Sequence, residues 1–287
     1  SRGDFQPLWI NVRIPRGVRG LYQGEMMVHA RAKPTVRIPI RLRAWGFDLP
    51  KRPSLVNMFD FSVADDVSGF ARRYGPLDDA GFEPFRRFMR YLTDHSVNRL
   101  FYNGPLFGSG LIRVTERGGH FESDFRETEK MLQLFKQLGL GFNHWHGPVW
   151  PQAKTYLSFN PTYRRFRSLG QKIYRNRRFN QCLLDLAAAC HRQLEKIGLA
   201  DRCFAYLYDE PHKPWHVQHM GMLSRRLKKM CPQTRQLAAI GQPAAIQATL
   251  DKDLPVDIIV GHLSYYDPKI RARIVESGRE YWWYTSN

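Results

Sequence analysis

The sequence predicts an α/β chain: a (β/α)8-type TIM barrel that lacks its last unit, preceded by the end of a β-sandwich domain. Two observations predict it. From residue 54 onward, short apolar runs alternate with longer helix-like segments through seven units, the pattern of a parallel sheet with helical crossovers. No G-x-G-x-x-G or Walker-type loop follows any of these runs, which argues against doubly wound nucleotide-binding folds. Seven units exceed what most doubly wound sheets use and fall one short of a closed eight-stranded barrel. The expected division is residues 1–50 as sandwich end plus linker, and residues 51–287 as a barrel domain truncated at its C-terminal side.

Taken in order, residues 1–46 have β texture. Runs at 8–14, 25–30 and 36–44 cluster or alternate apolar residues between turn signals at residues 15–17, 19–20 and 33–34. Three strands with no helix bury little core alone, so they read as the trailing edge of a sandwich. Residues 48–53, DLPKRP, form a stiff connector bracketed by prolines. Barrel strands are expected at 54–61, 99–103, 141–146, 203–208, 236–240, 256–263 and 280–285. Helices are expected at 81–95, 123–138, 167–198, 214–231 and 268–277, with a shorter one near 244–250.

At 287 residues the chain is long enough for a substantial core. No apolar run approaches the ~20 residues of a membrane span. The chain opens on Ser1 with no signal-like apolar region, so its compartment stays open. Cys182, Cys190, Cys203 and Cys231 show no metal-ribbon spacing and read as buried free thiols. The formal net charge is +18, with clusters such as Arg177–Arg178 and Arg225–Arg226 beside Lys228–Lys229. Such a surface attracts polyanions non-specifically. No helix-turn-helix, zinc-finger or RNP motif accompanies it, so dedicated nucleic-acid binding is not expected.

The chemistry concentrates at residues 204–211, FAYLYDEP. An aromatic, apolar strand runs into Asp209 and Glu210 and stops at Pro211, which has no N–H for a sheet ladder and pushes Glu210 toward an extended conformation. Neighbouring strand residues face opposite ways, so the two carboxylates share a pocket only where the pleat breaks, as Pro211 allows. Two other acidic doublets, Asp65–Asp66 and Asp78–Asp79, lie in polar loop-like segments and read as solvated. A functional site and a structural ion pair are both open for Asp209–Glu210.

In a barrel the active site lies at the C-terminal strand ends. Those ends carry Asn103; Asn143, His144, Trp145 and His146; Tyr208, Asp209 and Glu210; His262, Tyr265 and Tyr266; and Trp282, Trp283, Tyr284 and Asn287. Aromatic plates among polar groups suit a carbohydrate cleft, although each ring taken singly also reads as rim packing. Two metal readings compete: His144 and His146 with Asp209, and His212, His216 and His219 at helical spacing. Neither carries a metal-binding helix motif, and no cofactor or metal is expected.

Three stretches carry a resemblance. Residues 6–9 (QPLW), 20–24 (GLYQG) and 45–50 (WGFDLP) form the first, residues 208–211 (YDEP) the second and residues 281–284 (YWWY) the third. Together they resemble the β-N-acetylgalactosaminidases of glycoside hydrolase family 123 and related domains. The resemblance implies a sandwich–barrel junction at the first stretch and a catalytic Asp–Glu pair at the second. It implies a retaining reaction assisted by the substrate's own 2-acetamido group. Glu210 would then be the acid and later the base, and Asp209 the holder of the acetamido N–H, so one carboxyl stays protonated while its neighbour is ionised. Tyr284 would donate to the acetamido oxygen, and Asn103, His144, His146, Tyr208 and Trp283 would line the sugar pocket. The implied partner is a glycan, and a secreted or periplasmic location follows from the resemblance alone. The alternative is a glycan-binding barrel without catalysis, its basic surface suited to an anionic polysaccharide.

Overall fold

A computed structural model describes residues 10–50, 54–61, 79–102, 112–146, 172 and 175–285. The chain divides into two compact units, Ser1–Ser54 and Leu55–Asn287. In the first unit, β1 (Gly20–Val28) pairs antiparallel with β2 (Val36–Ala44), in register from Gly20 opposite Ala44 to Val28 opposite Val36. The Asp48 carboxylate accepts from the Gly17 N–H at 3.1 Å and the Arg19 guanidinium at 3.2 Å. The arginine bond, then the backbone bond, hold the Asp48 carboxyl below its usual range. The strand expected at 25–30 thus begins earlier, at Gly20. Residues 10–14 of the run expected at 8–14 form no strand, because no described strand lies beside them to complete a ladder.

The second unit is built on one parallel sheet of seven strands: β3 (Met58–Phe61), β4 (Arg99–Tyr102), β7 (Gly141–His146), β8 (Phe204–Asp209), β9 (Gln236–Ala239), β10 (Ile258–His262) and β11 (Glu280–Tyr284). Each new strand adds to the same edge, so the spatial order follows the chain order and the sheet has no topological switch point. Doubly wound folds reverse direction at such a point, whereas barrels do not. Inserted between β4 and β7 is an antiparallel hairpin, β5 (Arg113–Arg117) and β6 (His120–Asp124). Its turn residues Gly118 and Gly119 have φ of 56° and 82°, the doubly positive pair that a tight hairpin turn requires. Residues 123 and 124, expected to open a helix, belong to this hairpin instead. Phe121 is buried, and its N–H bonds Asp185 at 3.1 Å.

Six helices accompany the sheet among the described residues: α1 (Asp79–Asp94), α2 (Glu129–Leu138), α3 (Arg177–Ile197), α4 (Pro214–Met230), α5 (Pro243–Asp251) and α6 (Pro268–Glu276). Three of them start on proline, whose fixed φ suits a first turn where the missing N–H costs nothing. Two starts are capped: Asn176 accepts from the Phe179 N–H, and Asp267 from the N–H groups of Lys269 and Ile270. All four cysteines are buried and free.

Strand side chains sort onto two faces. Leu100, Phe142, Ala205, Leu207, Ala238 and Ile259 pack with helix residues that include Met89, Phe135, Leu183, Leu223, Ile246 and Ile274. Phe204, Tyr206, Leu237, Ala239, Ile258 and Val260 pack instead with Met58, Trp282 and Tyr284, strand residues throughout. Among the described residues helices cover one face, and the other face curls into a concave interior. This is an α/β, TIM-like architecture, and it aims the interior ends of β8 to β11 at one another.

Candidate active site

The site begins with an irregularity in β8. Its register against β9 runs Tyr206 to Leu237 and then Tyr208 to Ala238, which leaves Leu207 as an extra residue. Before the bulge Phe204 and Tyr206 face the interior, and after it Leu207 and Tyr208 both pack on the helix side. The alternation is thereby reset, and Asp209 returns to the face of Tyr206. The Tyr206 hydroxyl donates to Asp209 Oδ1 at 2.8 Å.

Glu210 then leaves the strand with φ of 47°. Sequence reasoning expects an extended residue before Pro211. The left-handed conformation found instead costs roughly 1–2 kcal/mol for a residue with a Cβ and persists where the surroundings hold it. Three contacts do so here: the Glu210 N–H donates to the Ala239 carbonyl at 2.8 Å, His212 Nδ1 donates to the Glu210 carbonyl at 3.0 Å, and the Tyr284 hydroxyl donates to Glu210 Oε1. The bulge and the left-handed turn together break the pleat.

Glu210 and Tyr284 line a hollow of about 260 Å³ with His212, Gly241, Gln242, His262 and Tyr265. Its volume falls just below the ~300–1,000 Å³ of pockets that enclose drug-sized ligands. Gly241 sits where a Cβ would meet the Tyr284 hydroxyl at 3.3 Å, so the absence of a side chain gives that phenol its room. The His262 ring stands edge-on to Tyr284 with centroids 4.9 Å apart. His262 Nδ1 accepts from the Ser264 N–H at 3.3 Å, which places the proton of the neutral ring on Nε2.

Electrostatics keep the two phenols protonated. Burial, then the bond to Glu210 and the charges of Glu210 and Asp209, raise the Tyr284 pKa well above the ordinary phenol value. Burial, followed by the Asp209 charge and hydrogen bond, does the same for Tyr206. Each carboxylate thus faces a hydroxyl that stays a donor over the whole neutral range.

Of the residues singled out from sequence, the structure brings Glu210 and Tyr284 together at the hollow, while Asp209 is held by Tyr206 on the interior face and is not one of the residues that line it. Tyr208 lies on the other face, buried between the rings of His216 and His219 at 5.6 and 6.0 Å. His144 is buried against His191 of α3, centroids 5.8 Å apart, and burial drops its pKa to about 3. Trp283 is 62% exposed and alternates with the interior residues Trp282 and Tyr284, which puts it on the opposite face. Asn103 and the His146 side chain lie outside the described residues. The metal readings do not assemble. His144 faces α3 while Asp209 faces the interior, and His219 Nε2 is engaged by Asn180 Oδ1 at 3.1 Å. No group of three candidate metal ligands occurs among the described residues. Sequence reasoning left Gly241 and Gln242 unremarked, although a Gly–Gln–Pro run one residue past β9 marks a strand end. His262 and Tyr265 stood among the strand ends without being chosen, and His212 was weighed only as a metal ligand at helical spacing.

No family model matches the chain, and no curated protein sequence matches it. Among solved structures it is similar to a family 123 glycoside hydrolase from Clostridium perfringens, studied for glycolipid glycan hydrolysis, with TM-score 0.62, 13% identity and coverage of 96% of this chain and 51% of that one. A GH10 xylanase from Thermobacillus composti gives TM-score 0.39 at 10% identity, over 79% of this chain and 66% of that one. A thermostable mutant of a Cellvibrio japonicus xylanase gives 0.41 at 11%, over 78% and 67%. The chain spans about half the length of the Clostridium perfringens enzyme. In fold, therefore, this chain is similar to a family 123 glycoside hydrolase over nearly all of its length.

Proposed function

We propose that the chain is a retaining glycoside hydrolase that removes terminal β-linked N-acetylgalactosamine, or a related 2-acetamido sugar, with the substrate's acetamido oxygen as nucleophile. The observation that supports this reading is the adjacency of Asp209 and Glu210 at a break in the strand, each carboxylate met by a protonated phenol, Tyr206 at Asp209 and Tyr284 at Glu210. Residues 1–50 are read as the end of a β-sandwich and residues 51–287 as the barrel that bears the site.

In the first step Glu210, protonated, gives its proton to the glycosidic oxygen as that bond to C1 breaks. The acetamido carbonyl oxygen bonds C1 from the opposite side and forms an oxazolinium ion. Asp209, held at Oδ1 by Tyr206, accepts the acetamido N–H and offsets the positive charge on the ring. Tyr284 turns its hydroxyl from Glu210 to the acetamido oxygen and orients it on C1. In the second step Glu210, now a carboxylate, takes a proton from water, which attacks C1 and reopens the ring. Two inversions give net retention.

Hydrolysis of an aryl N-acetyl-β-galactosaminide followed by NMR tests this reading. The β-anomer of the free sugar is expected first, before mutarotation. First appearance of the α-anomer, or no product at all, would overturn it.

A further inference from the structure

A second cleft, of about 610 Å³, opens away from the barrel interior, where the first turn of α3 faces the middle of α4 and the β5–β6 turn. Arg175, Arg177, Arg178 and Arg226 line it together with Gly119 and Met222, and none of the described residues that line it is acidic. Arg178 is engaged by Glu116 at 2.5 Å, and Arg226 donates to the neutral Gln181 Oε1 at 2.5 Å. Arg175 and Arg177 have no acidic partner among the described residues.

This charge stands where folding disfavours it. The first turn of α3, a helix of 21 residues, holds Arg177 and Arg178 and no acidic residue. Cations at a helix N-terminus oppose the helix dipole and the orphan N–H groups there. Among the described residues, Glu116 relieves part of that excess through Arg178. An anion in the cleft would relieve the rest, and arginine forks match the oxygen geometry of sulfate, phosphate and carboxylate groups.

We infer that the cleft binds oxyanion groups, sulfate esters or carboxylates, carried on a carbohydrate chain. Its volume is more than twice that of the hollow at Glu210, room for an extended ligand rather than a lone ion. None of the described residues that line it is aromatic, so among them no ring offers the stacking platform that single-stranded nucleic-acid sites use. The carbohydrate part rests on the glycosidase reading, and the oxyanion part stands without it.

The test is calorimetric titration of the whole chain, at fixed ionic strength, with a sulfated glycosaminoglycan hexasaccharide, its desulfated counterpart and sodium sulfate. The sulfated chain should bind and raise the melting temperature, and the desulfated chain should not. Arg175→Gln with Arg177→Gln should weaken binding by roughly tenfold or more, while Lys269→Gln with Arg271→Gln on α6 leaves it unchanged. The Arg175/Arg177 double variant should keep or slightly raise its melting temperature without ligand and keep its turnover of a neutral aryl glycoside. Equal losses in both double variants would show general charge attraction and overturn the site, as would absence of binding. Binding of sodium sulfate as tight as that of the glycan would overturn the carbohydrate claim. Arginine-dependent glycan binding by a chain that hydrolyses nothing would uphold this inference while overturning the catalytic reading.

Discussion

The Tyr284 hydroxyl donates to Oε1 of Glu210 although the two residues are 74 positions apart in the chain. In the sheet β9 and β10 lie between their strands. Strands spaced by about 4.8 Å would hold β8 and β11 some 14 Å apart on a flat sheet. The contact forms because the sheet curls toward its concave face, so the bond belongs to the barrel geometry as much as to the site.

That bond makes Tyr284 the first residue to alter. Tyr284→Phe removes the hydroxyl and keeps the ring that packs in the interior cluster. Steady-state kinetics on an aryl N-acetyl-β-hexosaminide should show kcat down about 100-fold, the loss typical of one preorganised donor. Glu210→Gln, which keeps shape and loses the proton, should fall much further. A Tyr284→Phe enzyme at wild-type kcat would remove the phenol from the mechanism.

Tyr206 supports Asp209 from below. Tyr206→Phe leaves the carboxylate without the 2.8 Å donor, and a bond to a charged group contributes about 1.5–3 kcal/mol. Denaturant unfolding should show a loss at the low end of that range, because Asp209 is only half-buried. On the proposed mechanism turnover should fall more than stability does, since an Asp209 without this bond would hold the acetamido N–H less firmly. Unchanged kinetics would deny Tyr206 its positioning role.

Gly241 sets the space beneath Tyr284. In Gly241→Ala the new Cβ, 3.3 Å from the phenol oxygen, pushes Tyr284 a few tenths of an ångström. The expected signature is a raised KM and lowered kcat with a melting temperature close to wild type. A large drop in melting temperature without a kinetic change would assign Gly241 to packing.

Buried histidines predict acid sensitivity. Burial lowers the pKa of His144 to about 3 and of His219 to about 4, and lowers that of His191 as well. These groups fold neutral, so their contribution is full above the ordinary imidazole value near 6.5 and is lost as pH falls through the folded values. Each deferred protonation costs about 1.4 kcal/mol per pH unit. Melting temperature should therefore decline between pH 6.5 and 4, and His144→Gln should flatten the decline. A profile unaffected by that substitution would place the acid sensitivity elsewhere.

Much of the second unit was legible because its signals are local. Proline at residues 214, 243 and 268 marks helix starts, and the apolar runs at 141–146, 204–209 and 280–284 are strands whichever way they curl. The β5–β6 hairpin escaped notice because its strands are mostly polar, with Val114 and Phe121 their buried side chains and Gly118–Gly119 the one clear sign. In the site, the carboxylates and Tyr284 could be named from sequence, but their orientation could not. One extra residue at Leu207 decides that Tyr208 faces the helices and Asp209 the interior, and the sequence does not announce a bulge. Likewise alternation along β11 separates Trp283 from Tyr284, a distinction that naming strand ends ignores.

The most direct measurement compares aryl β-glycosides that differ only at C2, acetamido against hydroxyl, with the unaltered chain and with Asp209→Ala. The account predicts cleavage of the acetamido substrates alone and its near-complete loss in Asp209→Ala. Comparable cleavage of the C2-hydroxyl substrates, or full turnover by Asp209→Ala, would contradict it.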